Sequence, residues 1–229
     1  MTEDVLALRD VVWALRYLGC GCIFLLYIAP LKPRFAQKRY VLAALLFLTV
    51  VSMLVQLRAA VTVTRDASVN IVCWALVCLL IKKTDWKNAL YGALSFAVLW
   101  DMTKIIAHDL LFELWIEQWL VGCASWVCNT VYTVISLSVE LMLALLCRRR
   151  IFASDKRMFE PLQMLPILLP SLIYFAIRTL QFDLKNSGVG LDGSSYLLEI
   201  DLLLVLVGCC DILISILADD NLSTRLQQE

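Results

Sequence analysis

Long apolar runs separated by short charged stretches dominate the chain. The runs are too continuous for one-faced amphipathic helices or alternating strands. A helix needs about 20 mostly apolar residues to cross roughly 30 Å of hydrocarbon. Seven segments reach or approach that length, at roughly residues 5–29, 39–57, 66–81, 88–107, 120–147, 160–179 and 195–218. The third is short, and the fifth is long enough to tilt or to project from the bilayer. The pattern predicts an all-α fold: a polytopic transmembrane helix bundle of about seven spans over 1–218, with a cytoplasmic exit helix starting over 219–229.

Charge gives the bundle a direction. The first connecting loop carries Lys32, Arg34, Lys38 and Arg39, and the third carries Lys82, Lys83 and Lys87. The fifth carries Arg148, Arg149, Arg150, Lys156 and Arg157, and the tail carries Arg225. Cytoplasmic loops hold the excess of Lys and Arg. Every second loop is basic only if all seven spans cross, the short third one included. The expected arrangement is therefore N-terminus out and C-terminus in. On the outer side, Asp109, Glu113 and Glu117 recur at i, i+4 and i+8 between spans four and five. That spacing predicts an acidic stripe on a short interfacial helix, with Trp115 and Trp119 at headgroup depth. The glycine- and serine-rich stretch 186–195 reads as an outer loop.

Ionisable side chains inside spans are costly and usually face the bundle interior. Arg16 lies in span one, Glu140 in the inner half of span five and Asp211 in the inner half of span seven. Pairing Arg16 with Glu140 or Asp211 would lower the cost of burial, as a fixed clasp or as a pair that rearranges on ligand binding. Trp100, Asp101, Lys104, Glu199 and Asp201 fall toward the outer ends of spans four and seven and are the candidate ligand-binding residues. Pro161 suits the first turn of span six. Pro166 and Pro170 each remove a backbone hydrogen bond within it, predicting a kink and a candidate hinge.

With 61% hydrophobic residues and a formal net charge of zero, the chain has neither the composition of a soluble domain nor the basic footprint of a nucleic-acid binder. Its nine cysteines lie almost all in apolar runs with no CxxC pair, and His108 is the one histidine. A zinc site is not expected, nor any other cofactor. Signatures of zinc peptidases, serine hydrolases, Walker loops and dinucleotide sites are absent, so no catalytic residue is assigned. Span seven has no lysine for a retinal Schiff base. The acidic N-terminus lacks the basic region of a signal peptide, and the first run reads as a retained helix.

From Ile212 to Glu229 there is neither glycine nor proline. The last span can therefore continue as a helix through Asp219-Asp220-Asn221-Leu222 to Gln227-Gln228-Glu229, with Leu222 and Leu226 forming a narrow seam. The apolar block, the basic loops and this exit helix make the chain resemble the membrane sensor region of Gram-positive, AgrC-like GHKL-type sensor histidine kinases. The resemblance implies a homodimer in the cell membrane and an extracellular peptide or small-molecule signal. In such kinases the exit helix leads to a dimerisation helix and a catalytic domain, neither of which lies within these 229 residues. The resemblance therefore implies a sensor fragment of a longer kinase or a stand-alone relative. It carries over no functional residues. A receptor is thus expected, with a small transporter or channel-like subunit and a lipid-modifying membrane enzyme as the alternatives.

The topology makes a direct prediction: single cysteines introduced at residues 151 and 190 react with an impermeant thiol reagent from opposite sides of the membrane. Labelling of both from one side rejects the arrangement.

Overall fold

A computed structural model describes residues 3–34, 38–57, 63–151, 161–186 and 199–214. Among these residues the chain is helical throughout, apart from turns and an isolated β-bridge between Pro33 and Lys82. The helices are α1 (Glu3–Tyr27), α2 (Lys38–Leu57), α3 (Val63–Ile81), α4 (Trp86–Lys104), α5 (Ser125–Ile151), α6 (Pro161–Asn186) and α7 (199–214). Their positions follow the seven apolar runs. Trp86–Ala107 and Ser125–Cys147 are each long and apolar enough to cross a membrane. Val11–Tyr27, Tyr40–Ser52 and Ser68–Ile81 are shorter apolar helical stretches. The exit helix of 219–229 lies outside the described residues, as do most of the glycine-rich loop and the Lys156–Arg157 part of the fifth loop.

α4 is the centre of the bundle. Every residue from Tyr91 to Thr103 is buried, so no face of the helix meets the surroundings. A helix buried on all sides must be covered by others on all sides. α3, α5, α6 and the turns beyond Lys104 cover it. Its start is set by Asp85, whose side chain accepts a hydrogen bond from the Asn88 backbone N–H at 3.3 Å. That is the usual role of an aspartate at a helix N-cap. Beyond Lys104 the helix widens into a π-helical stretch, Ile105–Ile116, and closes in a short 3-10 turn, Glu117–Trp119. The interfacial segment is thus helical, but not in the α register that an i, i+4, i+8 acidic stripe assumes. The side chains of Asp109, Glu113 and Glu117 lie outside the described residues.

An aromatic cluster ties the core together. Trp74 of α3 meets Phe96 and Trp100 of α4 edge-on, with ring centroids 4.9 and 5.4 Å apart, and Phe24 of α1 packs on both Trp74 and Phe96. Edge-to-face pairs at these distances add about 0.5–1.5 kcal/mol each beyond area burial. The small residues of Gly19-Cys20-Gly21-Cys22 admit close neighbours to α1. A Cβ on Gly19 would lie 2.8 Å from Leu137 Cδ1 of α5.

The opposite, outward faces are apolar as well. Leu42, Leu46 and Val50 on α2 are exposed at i, i+4, i+8, as are Val72, Leu76 and Leu80 on α3. α7 presents Leu202, Leu206 and Leu213. α6 runs without a break across Pro166 and Pro170 and begins at Pro161, where a missing N–H costs nothing.

Two connecting loops are stapled at one end. The Arg34 N–H donates to the Ile81 carbonyl at 2.7 Å, and the Lys83 N–H to the Lys32 carbonyl at 2.8 Å. Lys82 Nζ donates to the carbonyls of Leu31 and Ala29, at 3.0 and 3.3 Å. Burial pulls the Lys82 ammonium below its ordinary pKa, while the nearby Cys78 partly opposes this. The first and third loops, both basic, therefore share one end of the bundle.

Gly208 of α7 sits directly on Met102 of α4, and a Cβ there would lie 2.7 Å from Met102 Cγ. Gly208→Ala is expected to be accommodated when the flexible Met102 swings aside. Gly208→Val should lower stability by about 1–3 kcal/mol, the range for overpacking. Thermal unfolding in detergent micelles checks this, and a Val variant as stable as the Ala variant would contradict the close approach.

Candidate functional site

α4 presents two polar groupings on different sides, from adjacent residues. Trp100 and Lys104, one helical turn apart, face a cavity of about 310 Å³. Trp13, Arg16 and Tyr17 of α1 supply a second wall, at i, i+3 and i+4. Cys128, Asn129 and Tyr132 of α5 supply a third, and Phe112 of the π-helical stretch closes it. Each α-helix contributes one face at helical spacing. The cavity lies on the order of 20 Å from the stapled loops, since Trp100 is fourteen residues along α4 from Trp86 at about 1.5 Å each.

Two cations line it, both laid on aromatic rings. The Arg16 guanidinium lies 4.6 Å from the Tyr132 ring centroid and 5.3 Å from that of Trp13. One of its nitrogens, Nη2, donates to the Tyr132 hydroxyl at 2.7 Å. Lys104 Nζ stands 3.5 Å from the Trp100 ring centroid. Cations within about 6 Å of a ring centroid are attracted to its face.

The structure pairs Arg16 differently from the sequence-based expectation. Among the described residues no carboxylate forms an ion pair with it. Tyr132, its partner, precedes Glu140 on α5 by eight residues, or about 12 Å. Glu140 is 1% exposed, its Oε1 has no hydrogen-bond partner, and the Cys20 thiol lies against it. Asp211 is also buried, and both its carboxylate oxygens accept from the Ser171 hydroxyl, at 3.0 and 2.9 Å. Neither acid is the clasp partner of Arg16.

The second grouping starts at Asp101, next to Trp100 but turned toward α6 and α7. Tyr174 donates to Asp101 Oδ2 at 2.9 Å, and Arg178 Nε lies 3.1 Å from the same oxygen. Arg178 Nη1 reaches Asp201 Oδ1 at 3.8 Å, and Gln181 donates to that Asp201 oxygen at 2.6 Å. Arg178 Nη1 also donates to the Gln181 side-chain amide oxygen, Oε1. Tyr174, Arg178 and Gln181 lie at i, i+4 and i+7 on one face of α6. They form a clasp between α4 and α7.

The candidate ligand set therefore divides. Trp100 and Lys104 belong to the cavity, Asp101 and Asp201 to the clasp, and Glu199 is exposed at the start of α7. Sequence reading missed Trp13, Tyr17 and Tyr132 in the cavity and Tyr174, Arg178 and Gln181 in the clasp. No group of metal-ligating side chains occurs among the described residues. No family model, curated protein or solved structure matches the chain significantly.

Removing Arg178 leaves two buried carboxylates facing one another without a cation. Breaking a buried pair in this way costs about 3–5 kcal/mol, and the 20% exposure of the Arg178 side chain places the expected loss at the lower end. Arg178→Met is expected to lose about 3 kcal/mol, and Asp101→Asn in the same chain to restore part of it. Reversible unfolding in mixed micelles, read as a double-mutant cycle, checks the coupling. Additive losses would show that the clasp is not an energetic unit.

Proposed function

We propose that this chain is the membrane-embedded region of a receptor, crossing the bilayer seven times with its N-terminus outside and its C-terminus in the cytoplasm. The outward-facing apolar stripes on α2, α3 and α7 support lipid contact. Contiguous exposed apolar stripes of this kind ordinarily mark a surface covered by lipid or by another protein. The stapling of two basic loops at one end supports a shared cytoplasmic side for them. On this reading the cavity opens toward the outer half of the bilayer and receives an extracellular signal.

The observation that carries the receptor reading is the back-to-back arrangement on α4. Trp100 and Lys104 line the cavity, while Asp101, between them in sequence, holds Arg178 and, through it, α7. A rotation or shift of α4 on ligand binding would be passed to α7 through the clasp, and α7 leads to the cytoplasmic exit segment. Shifts of about 1–2 Å between packed helices are a common form of such coupling. The AgrC-like resemblance fits this reading, with a kinase as the output and a dimer as the working unit.

Bio-orthogonal spin labels at the exposed positions Leu146 of α5 and Leu213 of α7 test the coupling in nanodiscs. Asp101→Asn, which weakens the Arg178 link between α4 and α7, is expected to change the inter-label distance or widen its distribution by on the order of 1–2 Å. An unchanged distribution would reject the clasp as the transmitting element.

A further inference from the structure

We infer that the α1–α4–α5 cavity is an anion site, built for a small aromatic or apolar molecule that carries a carboxylate or a similar acid group. This deepens the receptor reading, and rests on it for the claim that the bound molecule is a signal.

Charge and shape both point to this class. Arg16 is 6% exposed, yet its one hydrogen bond among five N–H donors goes to the Tyr132 hydroxyl. Its Cζ lies over the Tyr132 and Trp13 rings, which together with the Tyr132 hydrogen bond hold the guanidinium at the cavity wall. A planar guanidinium with free donors matches a carboxylate in bidentate geometry. Lys104 adds a second positive charge from the opposite wall. Glu140, buried further along α5, interacts electrostatically with both cations but forms no ion pair with Arg16.

The remaining lining selects an apolar body. Trp13, Trp100, Tyr132 and Phe112 offer ring faces and edges. A volume of about 310 Å³ is at the small end of ligand pockets, which span about 300–1,000 Å³. One ring with a short acid tail suits that space better than a folded peptide. A terminal aromatic residue of a peptide, inserted carboxylate first, has the same chemistry.

Cys128, on the α5 wall, supplies a reporter that needs no known ligand. The full chain in zwitterionic nanodiscs is treated with methanethiosulfonates bearing either a sulfonate or a trimethylammonium group. Modification of Cys128 is followed by peptide mass spectrometry, with rates normalised to a free thiol. The potential read is that of the whole chain, with Asp109, Glu113 and Glu117 included. The sulfonate reagent is expected to be favoured by on the order of tenfold, as charge-lined clefts concentrate counter-ions. The preference should vanish in Arg16→Gln/Lys104→Gln and persist in Arg16→Lys.

In a second arm, 3-phenylpropionate should protect Cys128 where 3-phenylpropionamide does not. Equal normalised rates for the two reagents in the unaltered chain, or equal protection by acid and amide, overturns the anion assignment whatever the variants do. Protection without any change in the Leu146–Leu213 distance would leave the anion site standing and remove the receptor reading. A clasp-dependent distance change without charge preference at Cys128 would do the reverse.

Discussion

Complete burial of α4 is the constraint from which the rest of the structure follows. Thirteen consecutive residues, Tyr91 to Thr103, have no surface to give to solvent or lipid. Any polar group among them must find its partners inside the bundle. Thr103 does so locally, by donating to the Leu99 carbonyl at 2.8 Å. Asp101 cannot, because a carboxylate has only acceptors and the helix backbone has no spare donors in mid-span. It recruits Tyr174 and Arg178 from α6, and Arg178 brings in Asp201 from α7. One acidic residue on a central helix thus determines where two other helices sit.

Aromatic residues set the opposite side of the same helix. Trp100 meets the core through Trp74 and the cavity through Lys104, so it is both a wall of the site and a member of the packed centre. Motion at the cavity wall is therefore felt by the core cluster, and the tight contact of Gly208 with Met102 couples α7 to α4 a short distance away. At the far end the Lys82 ammonium and two backbone bonds lock the first loop to the third. The bundle is anchored at the loop end, whereas the π-helical stretch after Lys104 contributes Phe112 to the cavity at the other.

Much of the fold was legible because apolar length is a coarse, robust signal. All seven runs coincide with helices, and the common end of the first and third loops was implied by Lys32, Arg34, Lys82 and Lys83. The site was only half legible. Trp100, Asp101 and Lys104 stood out as polar or amphipathic residues in an apolar run, yet nothing in one helix alone says that 100 and 101 face different partners. Arg178 fell at the edge of its apolar run, where a charge ordinarily reads as solvated. The i, i+4, i+7 spacing of Tyr174, Arg178 and Gln181 was the available signal. Arg16 was correctly singled out as costly, but a search for opposite charges overlooked Tyr132, because a phenol that both hydrogen-bonds and offers a ring face satisfies a guanidinium without neutralising it. The π-helical widening after Lys104 has no marker in the sequence that we can identify.

The placement of the polar residues bears on the choice between a receptor and a transport path. A path for ions or solutes requires polar groups that succeed one another across the bilayer and meet water in turn. Here the polar residues form separate stations: the cavity at one end, the Asp101–Arg178–Asp201 clasp, the Ser171–Asp211 pair and the Glu140 carboxyl. Glu140 and Asp211 are each 1% exposed. The aromatic and aliphatic core around Phe24, Trp74 and Phe96 packs among the described helices. On the receptor reading proposed above, such stations hold helices to one another and link the cavity to α7. Arg16, which forms no ion pair among the described residues, is part of the same logic. Had Glu140 neutralised it, the cavity would hold the cations of a structural pair. Because Tyr132 holds it instead, the positive charge remains available to whatever enters.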